Sequence, residues 1–187
     1  MDALLISTGL VALAEVGDKT MLLAVALAAA WRRPAPILLG ILAATVLNHT
    51  FAATAGAVLA RYMDPDHLRW GAGLAFVGFG LWALIPERLD ERTDAEEKTF
   101  AGIFMTTAAA VFVLEMGDKT QIATALLAAR FDALLPVLAG STLGMMLVNG
   151  PAVLLGVALA RRLPMKTIRL AAAAGFVLTG LWVILAG

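Results

Sequence analysis

Cysteine is absent from the 187-residue chain, and tyrosine occurs only once. The lack of cysteine excludes disulfides and thiolate metal sites, and it removes any redox clue to the compartment. Net charge is also missing, because 14 basic residues balance 14 acidic ones. The chain therefore has neither a disulfide framework nor the basic excess that would favour binding to nucleic acid.

Apolar residues are abundant instead: they make up 61% of the chain, and its mean hydropathy is +0.88. Soluble domains are only about 45–50% apolar. The excess lies in long runs of Ala, Leu and Val, which predict an integral membrane protein in a lipid bilayer. The first run lacks a preceding basic segment and contains charged residues, so we expect a retained span and not a signal peptide.

Six stretches have the roughly 20 apolar residues that a spanning helix needs. They cover residues 3–30, 35–60, 68–86, 100–129, 134–160 and 168–186. The first and fourth are too long to be straight spans, and a break near Gly17 and Gly117 would absorb the excess. The sequence thus predicts an all-α membrane protein with six transmembrane helices.

A shift of 100 residues aligns the two halves of the chain. The shift aligns Pro36 with Pro136, Gly40 with Gly140, and Trp82 with Trp182. Runs of alanine and leucine match by chance, but these residues do not. Because each copy has three spans, the second copy must enter the membrane from the opposite side. We therefore predict two inverted three-helix repeats, residues 1–86 and 100–187, joined by an acidic cytoplasmic linker at 87–99.

Lysine and arginine are unequally distributed between the predicted loops. One side collects Arg32, Arg33, Arg88, Arg92, Lys98, Arg161, Arg162, Lys166 and Arg169, and the other has Arg61, Arg69 and Arg130. Cytoplasmic loops carry the excess of basic residues. This predicts that the 87–98 loop is cytoplasmic and that both termini lie outside.

One charged motif, Glu-x-Gly-Asp-Lys-Thr, occurs at residues 15–20 and again at 115–120, each time inside an apolar run. Ionisable residues within spans are costly, and they usually face a polar interior and mark a pathway. Acids three apart share one face of an α-helix, so we expect paired carboxylates in each motif. The intervening Gly17 and Gly117 act as hinges where the helix can open.

If the two motifs face each other, one cavity is surrounded by four carboxylates, those of Glu15, Asp18, Glu115 and Asp118. Should Lys19 and Lys119 also face it, two negative charges remain, which match one divalent cation. Oxygen ligands suit Ca²⁺, Mg²⁺ or Mn²⁺. Crowded carboxylates resist simultaneous ionisation, so protons would occupy them until a metal displaces them. These residues thus predict proton-coupled cation exchange.

Neutral polar residues surround these acids. Further oxygens can come from Thr20, Thr120 and Gln121. Asn48 and Asn149 in the second and fifth spans either join helices by hydrogen bonds or serve the metal, as direct ligands or as supports of its ligands. His49, alone in its helix, is interpreted as a packing residue in preference to a ligand or proton carrier.

A purely structural alternative is also open. Glu15 and Lys19 are four apart in the favourable order, as are Glu115 and Lys119, so each pair can form a local ion pair. That alternative leaves Asp18 and Asp118 unexplained.

The duplicated motif, on the first and fourth of six spans with an acidic linker between, resembles the GDT family. This family is named after Gcr1-dependent translation factor and is also called calcium:proton antiporter-2. The resemblance implies a secondary transporter, not an enzyme, that exports Mn²⁺ or Ca²⁺ against protons and has no cofactor beyond the transported cation. The resemblance implies that the site is formed by Glu15, Asp18, Thr20, Glu115, Asp118, Thr120 and Gln121.

One residue departs from the family pattern. The family often has glutamine after the first motif also, whereas this chain has Met21. A thioether is a weak ligand, so the two half-sites need not contribute equally. The chain is short and lacks a targeting extension, from which we expect the plasma (inner) membrane of a bacterium.

Two other functions remain open from the sequence. An exporter of a small solute such as an amino acid would have a larger site, with helix N-termini facing the substrate carboxylate. An intramembrane acid–base enzyme would need two acids around a water, and the lysine beside each aspartate argues against such a pair.

Overall fold

A computed structural model gives the fold and describes residues 1–82, 84, 99–160 and 165–186. The helices are α1 (Asp2–Glu15), α2 (Lys19–Trp31), α3 (Pro34–Tyr62), α4 (Pro65–Trp82), α5 (Phe100–Glu115), α6 (Lys119–Phe131), α7 (Leu134–Ala160) and α8 (Met165–Ala186). All regular elements within these ranges are helical, which confirms the all-α prediction. The 87–98 loop, with Arg88, Arg92 and Lys98, lies outside the described residues, as do Arg161 and Arg162.

Helices α1 and α2 are separated by a tight turn, and so are α5 and α6. The turns place Gly17 at φ 80° and Gly117 at φ 79°, in a region that glycine adopts without steric cost. The preceding Val16 (φ −65°, ψ 115°) and Met116 (φ −66°, ψ 112°) have the angles of the first central residue of a type II β-turn. The predicted break at both glycines is therefore confirmed.

These turns also change how the acids are presented. Helices α1 and α5 end at Glu15 and Glu115, while Asp18 and Asp118 are the N-cap residues of the following helices. In each turn the aspartate amide donates to the glutamate carbonyl at 3.0 Å. The prediction that each pair shares one helical face is wrong, because the helix does not continue through the motif.

Helix packing follows the shift of 100 residues. Helix α1 packs against α7 as α5 packs against α3, α2 contacts α7 as α6 contacts α3, and α4 packs against α8. Phe76 and Phe176, an equivalent pair, stack with their ring centroids 6.3 Å apart. The first helix of each half thus lies against the long helix of the other half.

Two glycines allow these helices to approach closely. A Cβ on Gly40 would lie 2.8 Å from Thr107 Cβ of α5, and a Cβ on Gly140 would lie 2.5 Å from the Leu4 carbonyl of α1. Such short approaches need glycine, as in helix pairs packed within membranes.

The distribution of side chains differs from that of a soluble protein. Charged groups including Glu15 and Lys119 are buried, while large apolar residues such as Leu47 and Leu154 are exposed. Among the described residues, α3 and the 134–155 part of α7 are long and apolar enough to cross a membrane. The pair α5 and α6, bent by 70°, is a third candidate. The structure therefore gives two or three of the six predicted spans.

Candidate metal centre

Three carboxylates from the two motifs come together in the interior. Ligand oxygens of Glu15, Asp18 and Glu115 all lie within 4.8 Å of one another, and these residues are 0%, 2% and 1% exposed. Divalent cations bind oxygen at about 2.0–2.6 Å, so oxygens this close can share one ion. The broken helices thus build a group of acids that suits a hard divalent cation.

The fourth predicted carboxylate is placed differently. Among the described residues, Asp118 is not a member of the group of three, although it is buried. Its Oδ2 accepts hydrogen bonds from the amide of Thr120 at 3.3 Å and from the Thr120 hydroxyl at 3.4 Å. Asp118 therefore caps α6.

Hydrogen bonds from the opposite half orient both glutamates. The Thr20 hydroxyl donates to Glu115 Oε1, and Asn149 Nδ2 donates to Glu15 Oε1 at 3.0 Å. Thr120 adds a bond from its own half to Glu115 Oε2 at 2.8 Å. These donors fix the carboxylates, so the two threonines and Asn149 support the acids in the arrangement seen here.

An ion pair also joins the two motifs. The ammonium group of Lys119, which is 4% exposed, contacts the carboxylate of Asp18. Local ion pairs would keep each motif separate, but this contact links one motif to the other. Lys19, at the equivalent position, is only half-buried.

Gln121 and its equivalent Met21 support the turns. Gln121 Oε1 accepts from the Gly117 amide at 2.6 Å, and Met21 Sδ accepts from the Gly17 amide at 3.4 Å. The glutamine that was predicted as an extra oxygen ligand is therefore bound to the backbone. Its replacement by methionine keeps the contact with a weaker acceptor.

The polar residues of α3 divide into two cases. Asn48 Nδ2 donates to the Phe112 carbonyl of α5 at 3.2 Å, which is the interhelical hydrogen bond that was one of its two predicted roles. His49 is fully buried, yet neither ring nitrogen has a hydrogen-bond partner in the described part of the chain. That environment does not match the satisfied packing histidine that the sequence suggested.

Two buried hydroxyl residues were missed by the sequence reasoning. Ser7 on α1 and Thr107 on α5 are fully buried, and neither side-chain oxygen has a hydrogen-bond partner among the described residues. Each lies about two helical turns before the glutamate that ends its helix. The shift of 100 residues pairs them and was the signal that could have found them.

The chain is similar to known proteins of one family. The family described as "Divalent cation/proton antiporter GDT1" matches residues 3–91 and 103–187. A Vibrio cholerae protein named "Putative manganese exporter" is 45% identical over 182 residues, covering 97% of this chain and 90% of that protein.

More distant relatives bear the same family name. A GDT1-like protein of Synechocystis is 29% identical over 86% of both chains. GDT1-like protein 3 of rice is 28% identical over 89% of this chain and 68% of its own length. No solved structure is significantly similar to the chain.

Proposed function

The chain belongs to the GDT1 family of divalent cation/proton antiporters, and we propose that it exports Mn²⁺ in exchange for protons through Glu15, Asp18 and Glu115. Membership makes it an integral membrane transporter and not an enzyme, and the transported species are a divalent cation and protons. The choice of Mn²⁺ follows the name of the Vibrio cholerae relative. Membership of this family also rules out the two alternative functions, a small-solute exporter and an intramembrane enzyme.

The observation that carries this proposal is the buried group of three carboxylates drawn from both motifs. With Lys119 paired to Asp18, the fully ionised group would hold two negative charges in excess, which one divalent cation neutralises. Protons and the cation bind the same carboxylate oxygens, so loading one ligand displaces the other. Exchange then needs no second binding site.

The remaining motif residues support this group. Thr20, Thr120 and Asn149 hold the glutamate oxygens in place, and Asp118 caps the helix that carries Lys119. Gly17 and Gly117 permit the turns that bring helix ends to the acids. Reorientation of these half-helices would expose the acids to one side of the membrane and then to the other.

The proposed architecture is two inverted repeats, residues 1–86 and 100–187, with six spans in total. The direction of packing supports it, because Gly40 of α3 lies near Phe104 and Asn48 lies against Phe112. Helices α3 and α5 thus run parallel. They are separated along the chain by the linker at 87–99 and by one span, α4. When successive spans alternate in direction, two spans separated by a third run in the same direction.

Transport by purified protein in liposomes tests the proposed function. An imposed proton gradient should drive Mn²⁺ in the opposite direction, and added Mn²⁺ should move protons reported by an internal pH dye. Acid pH should weaken Mn²⁺ binding because protons occupy the same oxygens. Mn²⁺ flux that moves no protons at any pH would leave a uniporter or channel, and flux of Ca²⁺ alone would reassign the cargo.

The orientation is proposed from the basic loops: a bacterial plasma membrane, a cytoplasmic 87–98 loop and both termini outside. The chain has no cysteine, so single cysteines report accessibility without background. We expect Ala95→Cys to resist membrane-impermeant thiol reagents in intact cells. His67→Cys, in the exposed first turn of α4 that we place outside, should react. The reverse labelling pattern would invert the topology.

A further inference from the structure

A surface cavity of about 360 Å³ lies between the end of α2, the start of α3 and the middle of α7. The group of three acids does not line it. Its apolar wall includes Val153, which is buried, and Leu154 and Leu155, which are 64% and 58% exposed. In a membrane protein such exposed leucines face the lipid, so the apolar side of the cavity is open to the bilayer.

The charged side chains that line this cavity are basic. Arg32 and Arg33, in the connection between α2 and α3, both line it and are both exposed, and no carboxylate lines it among the described residues. Neither arginine has an ion-pair partner in the part of the chain that the structure describes. Guanidinium groups match the oxygens of a phosphate in a fork geometry. This end of the cavity is therefore complementary to a phosphate group.

The start of α3 adds to the positive character of the same end. Pro34, the first residue of α3, lines the cavity. The N-cap residue Arg33 makes no side-chain hydrogen bond to the helix, and the first turn of α3 contains no acid. The dipole of a helix favours an anion at its N-terminus. The helix thus supports the two arginines, and nothing in its first turn offsets their charge.

The equivalent connection in the other half has a different charge. A shift of 100 residues places Arg32 on Asp132 and Arg33 on Ala133. Arg32 (φ 51°) and Asp132 (φ 45°) both have the left-handed backbone conformation, in which Asn and Asp are favoured among residues with a side chain. The turn itself therefore favours the aspartate of the second half and does not explain the arginine of the first.

We propose that this cavity binds an anionic phospholipid, with the phosphate between Arg32 and Arg33 and an acyl chain along Leu154 and Leu155. Basic pockets between membrane helices bind the head groups of anionic lipids. The basic end and the apolar wall of the cavity match the two parts of such a lipid. The site lies on the side that we propose to be cytoplasmic, and it goes beyond the exchange of cations for protons.

Native mass spectrometry of the purified protein in detergent tests this with two lipids of identical acyl chains. Phosphatidylglycerol should bind about tenfold or more tightly than phosphatidylcholine, because only phosphatidylglycerol carries a net negative charge. Glycerol phosphate at equal concentration should not displace it, because this soluble head group has no chain to bury against the leucines. Higher salt should weaken the binding of phosphatidylglycerol.

Substitutions at the two arginines give the second measurement. Arg32→Asn and Arg33→Gln should each weaken phosphatidylglycerol binding about fivefold, the scale of one basic residue near an anionic lipid. Asn suits the left-handed backbone at position 32, so the connection should keep its conformation. Arg61→Gln removes an exposed arginine from the last turn of α3 and is the matched control. It should leave phosphatidylglycerol binding unchanged.

Several results would overturn the lipid site. Equal affinity for the two lipids would do so, and so would displacement by glycerol phosphate, which would indicate a phosphate site without a lipid. Full affinity in the double variant Arg32→Asn/Arg33→Gln would leave the arginines to another anion, such as the acidic linker at 87–98. Equal losses in Arg61→Gln and Arg33→Gln would show a general effect of basic residues. Each of these results leaves the proposed exchange of Mn²⁺ for protons standing, because the arginines are not part of the carboxylate group.

Discussion

Asp18 and Asp118 occupy the same position in two copies of one motif, and their surroundings differ. Both follow a type II turn and both are N-cap residues. Asp18 contacts Lys119 and joins the group of three acids. Asp118 accepts hydrogen bonds from Thr120 at the start of its own helix. Two motifs with nearly the same sequence and backbone therefore place one aspartate side chain in the group of three acids, while the other aspartate side chain hydrogen-bonds to its own helix.

The lysines show the same asymmetry. Lys119 is buried and reaches the other half, whereas Lys19 is half-buried. Repeats that diverge can keep their fold while the interface between them becomes unequal. In this chain the first motif contributes two acids to the group, and the second contributes one acid and the cation that pairs with Asp18.

The largest expected effect separates the two aspartates. Asp18→Asn should weaken Mn²⁺ binding by more than about 100-fold, since removing one partner of a buried charge group costs about 3–5 kcal/mol. Asp118→Asn should weaken it by about tenfold or less, because Asn is an equally good N-cap and only a more distant charge is lost. Isothermal titration in detergent measures both.

Glu15→Gln and Glu115→Gln are the controls in which we expect Mn²⁺ binding to be lost. Asp66→Asn, at an exposed position, is the control in which we expect it to be unchanged. Helical circular dichroism and monodispersity should be unchanged in all variants. Equal losses in the two aspartate variants would restore the symmetric four-acid site that the sequence predicts.

The next largest effect is expected on replacing the lysines, and it should strengthen Mn²⁺ binding instead of weakening it. Lys119→Met removes a positive charge beside Asp18, an interaction of about 4 kcal/mol at an effective dielectric constant of 20. Part of that is lost to relaxation, so we expect Mn²⁺ binding at pH 8 to tighten about tenfold. Lys19→Met should change it by less than about threefold, as for a partly solvated charge.

Lys119→Arg keeps the charge and should bind Mn²⁺ much as the unaltered protein does. Equal tightening in the Lys19 and Lys119 variants would show that both lysines act on the site. Weaker binding in Lys119→Met would show that the lysine organises the acids and does not compete with the cation.

The smallest expected effect concerns the two side chains that accept hydrogen bonds from the glycine amides of the turns. Gln121→Met gives the second turn the thioether acceptor that Met21 gives the first. The net worth of one hydrogen bond is about 0.5–1.5 kcal/mol, and only part of it is lost. We expect the melting temperature to fall by about 1–3 °C.

Gln121→Ala removes the acceptor entirely and should lower the melting temperature further than Gln121→Met. If the two variants melt alike, the thioether contributes nothing at this position. The difference between the two halves would then extend to the turns themselves.

Several features were determined by the sequence because they depend on local chemistry. Long apolar runs specify helices, and the duplicated motif identifies the family. Gly17 and Gly117 specify the turns, because glycine alone enters a positive-φ conformation freely. The sequence also predicted that acids of the two motifs would lie together, and Glu15, Asp18 and Glu115 do so in the structure.

Other features were decided only by the tertiary structure. The pairing of Lys119 with Asp18, and the bonds from Thr20 and Asn149 to the opposite glutamates, join residues about 100 or more apart in the chain. Whether an aspartate contacts a lysine of the other half or bonds to its own helix depends on small differences in how the half-helices pack against each other. Sequence spacing carries no information on that scale, and the expected helical face failed for a related reason: it assumed a continuous helix where the glycines end one.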